Sequence, residues 1–224
     1  MPKLLMYPRT HLIDSIGAFL LTSGFLYHFG REKDSKDPRY NMPTEVYSGK
    51  GACLLFRKSV LQKTGLFDKD YFAYFEETDL CHRIWLTGFG VLYWPYTFVY
   101  HKEGSTSKKM VRSFIYFHSF KNRITTYIKN LSIKYLVLIL PKLIVIYQCA
   151  FLRYLIKSDF GNAWAVQKSI IWNVNNIKKT LEKRWYVQNK IRSVPDDDFL
   201  PKITKSVRLS YYYYLFRGLG LYKD

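Results

Sequence analysis

The chain has 224 residues, enough for one domain with an appendage, and 48% of them are apolar, which excludes wholesale disorder. The formal net charge of +18 is unevenly spread, since residues 1–100 carry +2 and residues 101–224 carry +16. This asymmetry predicts a balanced first half that could hold a binding site and a cationic second half that seeks anions.

The cysteines and the N-terminus give evidence on the cellular compartment of the protein. Cys53, Cys81 and Cys149 are widely spaced and form no C-x-x-C pair, which argues against a disulfide framework or a structural zinc site and favours a reducing compartment. The first residues contain no sustained apolar run, so no signal peptide is expected.

Residues 1–47 indicate extended segments and loops, and a tighter pattern begins at Ser48. The apolar run 51–57 predicts a buried strand, residues 58–65 a short helix ended by Gly65, and residues 75–88 a longer helix. Residues 89–95 and 97–101 predict two strands broken at Pro95. Strand–helix–strand order of this kind predicts an α/β core.

The second half has another character. Residues 111–130 predict a basic, aromatic helix, and residues 135–156 are apolar at 18 of 22 positions, which is long enough to cross a bilayer. Lys142 would be costly in a bilayer centre, and Pro141 precedes it. We therefore expect a helix lying in the membrane interface or a re-entrant hairpin broken at Pro141, with a spanning helix or a protein-binding helix as alternatives.

Three acids, Glu76, Glu77 and Asp79, stand at the start of the 75–88 helix, where the helix dipole favours negative charge. One interpretation is a charged first turn in which Asp79 pairs with Arg83 at i,i+4. The other is that one carboxylate, presented at a cleft, takes a proton from a hydroxyl nucleophile.

Other candidate residues lie nearby. His101 follows the last strand and is either structural or a ligand for a divalent metal. Gly49 and Gly51 bracket Lys50, a pattern that permits an anion-cradling turn. The two D-x-D patterns, 68–70 and 196–198, follow no buried strand, and we interpret both as surface turns.

The order of residues between positions 46 and 107 resembles the second half of the catalytic domain of family-two glycosyltransferases, particularly the rhamnosyltransferase-like branch. The stretch 117–130 is similar to the family's basic Arg-Asn helix, with Lys121 in place of the Arg. The matching positions are Gly51, Ala52, Arg57, Gly65, Phe67, Asp68, Phe72, Tyr74, Phe75, Glu76, Asp79, Leu80, Cys81, Arg83, Gly88, Pro95, His101 and Ser105.

The resemblance implies an α/β fold, with a partial GT-A domain over residues 1–107 and a helical, basic, membrane-associated region over residues 108–224. It implies inverting transfer, with Glu77 as the base at a position where the family usually has Asp. By the same resemblance Glu76, Asp79, Gly51 and Ala52 would place the acceptor. His101 would contact a divalent metal, Mg²⁺ or Mn²⁺, or the donor diphosphate.

The family's nucleotide-binding half is not evident. Residues 1–47 show no strand–helix–strand pattern and no acid pair after an apolar run, although one βαβ unit alone needs about 30 residues. We therefore expect a fragment, a split form whose donor half comes from a second chain, or a remnant without turnover.

The functional expectation is transfer of a sugar from a nucleotide-sugar to a glycan or polyprenyl-linked acceptor. The place would be the cytoplasmic face of the cell membrane, where a peripheral or monotopic protein of this charge is attracted to anionic lipid. The alternative is a non-catalytic membrane-associated subunit. A nucleic-acid partner is not expected, because no recognition motif accompanies the basic charge.

Overall fold

The structure, a computed structural model, describes residues 1–102, 104 and 110–215, and for residues 214 and 215 only the backbone. The predicted domain boundary at residue 107 and the matching position Ser105 lie outside the described residues. The strands of the described part are β1 (Pro2–Met6), β2 (Ile13–Ser15), β3 (Ala18–Leu21), β4 (Leu26–His28), β5 (Thr44–Glu45), β6 (Leu92–His101) and β7 (Thr204–Lys205).

Its α-helices are α1 (Lys58–Thr64), α2 (Glu76–Leu86), α3 (Arg112–Asn130), α4 (Ile133–Ile156), α5 (Phe160–Asn175), α6 (Ile177–Tyr186), α7 (Leu200–Ile203) and α8 (Ser210–Leu215). A π-helical turn (Val187–Ile191) continues α6. The α/β fold is confirmed, because two mixed sheets are followed by a helical region.

The two sheets differ in strand order and in the strands that they pair in parallel. The first has the order β2-β1-β6-β5, in which β1 runs parallel to β6 and the outer pairs are antiparallel. The second has the order β4-β3-β7, and β7 pairs in parallel with β3. Since β7 comes from the C-terminal region, both predicted domains contribute to one continuous hydrophobic core. The boundary near residue 107 stays a prediction.

The predicted helices around the candidate site are confirmed. Helix α1 ends at Gly65, whose φ of 74° is the left-handed conformation that glycine adopts freely. Helix α2 covers most of the predicted 75–88 segment, and Gly88 follows it with a φ of 81°. Helix α3 coincides with the predicted basic helix.

The predicted buried strand at residues 51–57 is wrong. This segment is a turn followed by an extended loop, and Leu55 is 87% exposed. The start of β6 already pairs with β1 on one side and β5 on the other, so the segment finds no ladder partner there. Leu54 instead lines a shallow cavity together with Met1.

The predicted break at Pro95 is also wrong, because β6 runs through it. The pairing with β1 jumps from Trp94 to Phe98, so residues 95–97 form no rungs with β1. Proline lacks the N–H that a ladder needs, and at this irregularity none is required.

Helix α4 is continuous, so the predicted hairpin broken at Pro141 is wrong. A buried stripe of Ile139, Leu143 and Tyr147, spaced four residues apart, anchors the helix on both sides of Pro141. Pro141 itself is exposed and is tolerated inside the helix. By length and composition α4 could cross a membrane, with a mean hydropathy of 2.0 over its best window.

The D-x-D segments do more than form surface turns. Asp68 accepts from Lys129 Nζ at 2.8 Å and also pairs with Lys183. Asp196 is buried and accepts from Arg192 Nη1 at 2.8 Å. The surface-turn interpretation is therefore wrong for these two acids, because basic residues of the helical region supply their partners.

Candidate functional site

A hollow of about 230 Å³ lies where β2, β3 and β4 meet the loop 48–50 and the first turn of α2. Pockets that take whole drug-sized ligands measure about 300–1,000 Å³, so this hollow has room for part of a large substrate. Its lining combines carboxylates, cations and hydroxyls: Asp14, Ser15, Gly17, Ala18, Leu26, His28, Arg31, Ser48, Gly49, Lys50, Glu77 and Thr78.

The carboxylate of Asp14 contacts three basic side chains at the hollow. This buried carboxylate accepts from Lys50 Nζ at 2.8 Å, from Arg31 Nη1 at 2.8 Å and from His101 Nδ1 at 2.8 Å. Burial alone would raise the pKa of Asp14, but Lys50, His101 and Arg31 hold it below its usual range. Asp14 is therefore ionised at neutral pH and neutralises part of the positive charge around it.

The contact with Asp14 also determines which nitrogen of His101 carries a proton. An ionised carboxylate only accepts hydrogen bonds, so Nδ1 of His101 is protonated and donates to Asp14. His28, which lines the hollow, has its pKa lowered to about 3 by burial and by the charges of Arg31 and Lys50, so it stays neutral.

Glu77 presents its carboxylate to the hollow from the first turn of α2. The side chain is half-buried, and its Oε2 atom is shielded from solvent and has no hydrogen-bond partner among residues 1–102, 104 and 110–215. Burial, with the neighbouring Glu76 charge adding to it, raises the pKa of Glu77 to about 7. A Cβ placed on Gly51 would lie 3.7 Å from the Glu77 side chain, an ordinary contact distance, so the loop packs beside Glu77 at this position.

The backbone that leads into α2 is strained. Phe72, Tyr74 and Phe75 have φ values of 59°, 66° and 72°, a region that non-glycine residues rarely adopt. Each such residue costs about 1–3 kcal/mol and persists only where its surroundings over-determine it. The turn thereby fixes where Glu76 and Glu77 begin the helix.

Asn122 of α3 holds this turn in place. Its Nδ2 group lies 3.0, 2.9 and 2.6 Å from the carbonyl oxygens of Tyr71, Ala73 and Tyr74. The adjacent Lys121 Nζ donates to the carbonyl of Asp70 at 3.0 Å. The Lys-Asn pair singled out in the sequence is thus a clamp on the strained turn.

The structure brings together only some of the predicted site residues. Glu77 and His101 lie on the same side of the molecule, because Lys50 lines the hollow with Glu77 and also binds the carboxylate that His101 contacts. Gly51 lies against Glu77, whereas Ala52 is exposed and does not line the hollow.

The other two acids of α2 lie outside the hollow. The Glu76 Oε2 atom is buried and finds no hydrogen-bond partner in the described part of the chain, and burial raises the pKa of this carboxyl. Asp79 is fully enclosed and pairs with Arg83 at 3.0 Å and Lys129 at 2.9 Å. The i,i+4 interpretation of Asp79 and Arg83 is confirmed, and the predicted contact of Asp79 with an acceptor has no support in this geometry.

The residues present do not by themselves fit a bound divalent metal. Within the described part of the chain, no three His, Cys, Asp or Glu side chains are close enough to hold an ion. Both oxygens of Asp14 already accept from basic side chains, so this carboxylate is not available as a metal ligand.

Three charged or titratable residues of the hollow were not identified from the sequence. Asp14, Arg31 and His28 come from the extended segments of residues 1–47, where no motif marks them. The one available signal was Asp14, an acid directly after the apolar pair Leu12-Ile13. Lys50 carried the weak signal of its flanking glycines.

Comparison with known proteins gives one family. Residues 34–114 match the family model described as "Glycosyltransferase like family 2". No curated protein and no solved structure matches the chain. The match includes α1, α2, β6 and Glu77, and it indicates glycosyl transfer in general. Residues 34–114 are thus similar to glycosyltransferase-like family 2, and the mixed sheets with a following helical region are consistent with a partial GT-A domain.

Proposed function

We propose that the chain supplies the acceptor side of an inverting glycosyltransferase that takes a sugar from a nucleotide-sugar. The acceptor is a hydroxyl of a lipid-linked or surface glycan at the cytoplasmic face of the cell membrane. The observation that carries the proposal is Glu77, which lines the hollow and whose Oε2 atom has no hydrogen-bond partner among the described residues.

In the proposed step Glu77 accepts the proton of the acceptor hydroxyl. The freed oxygen attacks the anomeric carbon of the donor, and the nucleoside diphosphate leaves with the electrons of the broken bond. A base with a pKa near neutrality suits this task, because it is about half ionised at pH 7 and mostly ionised at pH 8, yet basic enough to take a proton.

The donor side is also part of the proposal. Lys50 and Arg31 place positive charge beside the hollow, which suits an anionic diphosphate. Mg²⁺ or Mn²⁺ would neutralise charge on that diphosphate when bound, and among the described residues His101 is the ligand that the proposal assigns to it. A second chain would then supply the other ligands and the nucleotide site.

The alternative is a non-catalytic membrane-associated subunit. The small volume of the hollow favours it over a complete enzyme, because a nucleotide-sugar and an acceptor together need more room.

The test is sugar incorporation into lipid extracts by membranes that contain the full chain, with labelled UDP-glucose and dTDP-rhamnose as donors. Removing a general base costs about a hundredfold or more, so Glu77→Gln should lower incorporation at least a hundredfold, and Glu77→Asp should restore part of it. Glu182→Gln, an exposed residue on α6, is the matched control and should change nothing. Unchanged incorporation in Glu77→Gln would remove the catalytic proposal and leave the subunit.

A further inference from the structure

Helix α4 carries an apolar stripe that the protein itself does not cover. The helix is about 36 Å long, and exposed apolar side chains occur along its whole length, with Lys134, Lys142 and Arg153 exposed among them. The large exposed side chains on it are Ile133, Val137, Leu138, Val145, Leu152, Leu155 and Ile156. A contiguous apolar surface of this length marks an interaction site rather than ordinary surface.

Aromatic side chains extend this surface at the turn into α5. Ile156 is 85% exposed at the end of α4, and Phe160 and Trp164, in the first turns of α5, are 65% and 59% exposed. Aromatic side chains are enriched at the level of lipid headgroups, where one part of the ring is apolar and another polar.

The charge of this helical pair indicates what covers it. Residues 133–175 contain five basic residues and one acid, Asp159, which caps α5 through the backbone N–H of Asn162. Lys142 and Lys157 are exposed beside the apolar residues. An apolar stripe interleaved with cations complements an anionic bilayer surface, because long basic side chains reach headgroups while their neighbours enter the acyl boundary.

The attachment of α4 to the domain argues for a helix in the membrane plane. Tyr147 packs edge-to-face on Phe25, and its hydroxyl contacts the carbonyl of Phe120. Near the helix centre, Ile139 and Leu143 pack around Gly24, between β3 and β4. A spanning α4 would have to leave these contacts, whereas a helix lying flat keeps them and still exposes its outer face to lipid.

We propose that the outer face of the α4–α5 pair is the membrane-docking surface of this protein, with α4 lying flat in the interfacial layer of an anionic bilayer. The idea rests on the proposed function in one respect: it specifies how that enzyme or subunit reaches a lipid-linked acceptor.

The test is co-sedimentation of the full chain with vesicles of phosphatidylcholine alone and of phosphatidylcholine with 30% phosphatidylglycerol. Binding should be stronger to the anionic vesicles and should weaken as salt rises. The double variant Phe160→Ser/Trp164→Ser should lower the partition coefficient at least tenfold. The matched control is Trp185→Ser/Tyr186→Ser, an equally exposed aromatic pair on α6, and it should bind like the wild type.

Several outcomes would overturn the proposal. Two of them are an equal loss of vesicle binding in both double variants and equal binding of the wild type to the two vesicle types. A third is the absence of any vesicle binding, which would favour a protein partner. The fourth is resistance to carbonate extraction, which would indicate a spanning helix. Glu77→Gln separates this proposal from the catalytic one, since it should abolish transfer and leave vesicle binding unchanged.

Discussion

The Glu77 carboxyl, which we propose as the base, owes its raised pKa to burial and to a neighbouring acid. Burial and the Glu76 charge raise its pKa to about 7, while backbone N–H groups at the start of α2 only partly oppose this. Within the described part of the chain the shielded Oε2 atom has no hydrogen-bond partner, which is rare for a buried polar atom.

The raised pKa of Glu77 makes the free energy of unfolding depend on pH. Because the folded protein holds this proton up to about pH 7 and the unfolded chain releases it near pH 4.5, the contribution is present below pH 4.5 and lost as pH rises through 7. The free energy of unfolding of Glu77→Gln minus that of the wild type should therefore increase by on the order of 2 kcal/mol between pH 4.5 and pH 8. Urea unfolding at both pH values measures it, and an unchanged difference would contradict the raised pKa.

Asp79 gives the opposite case, a buried acid whose charge is compensated. Burial would raise its pKa, but Lys129 and Arg83 hold it below the usual range. Asp79→Asn should lower the free energy of unfolding by about 3–5 kcal/mol, because two buried cations lose their counter-charge. Thermal melts measure this. The control Asp37→Asn, at an exposed pair with Arg39, should leave the melting midpoint unchanged, and an equally small effect at Asp79 would contradict the account.

At the scale of elements, Pro141 tests the continuity of α4. A proline inside a helix is about 3 kcal/mol less favourable than alanine, and Pro141 is exposed, so little packing depends on it. Pro141→Ala should raise the free energy of unfolding by about 1–3 kcal/mol in chemical denaturation. A loss of stability would indicate that the segment needs a break there, as the hairpin prediction assumed.

Elements whose ends carry local signals were predictable from the sequence. Gly65 and Gly88 mark the ends of α1 and α2, and acids mark the start of α2. The segment 51–57 was not, because a short apolar run becomes a strand only if a neighbouring strand offers a free edge. The unbroken β6 depended on a pairing irregularity with β1, which the sequence of β6 does not contain.

At the scale of the molecule, the site depends on contacts between distant residues. Asp14 and His101 are 87 positions apart and Asp14 and Lys50 are 36 apart, so no local pattern could predict their contact. The acids of α2 were predictable as a cluster. Which of them faces the hollow was set by the strained turn and its clamp from Asn122, and only the resemblance singled out Glu77.

The cationic second half has two uses, of which the sequence predicted one. Part of its charge forms ion pairs within the molecule, where Lys129, Lys183 and Arg192 bind Asp68, Asp70 and Asp196, respectively. The remainder, on the surface, is available to anionic partners. Net charge alone could not divide the two, because the division depends on which acids fold against the helices.

The pH dependence of sugar transfer tests the role of Glu77 most directly. With the wild-type full chain and saturating donor, kcat/KM for the acceptor should fall about tenfold per pH unit below 7 and level off above it, because the base must be ionised. A rate that stays constant from pH 5 to pH 8 would show that no group with such a pKa takes the proton, and Glu77 would not be the base.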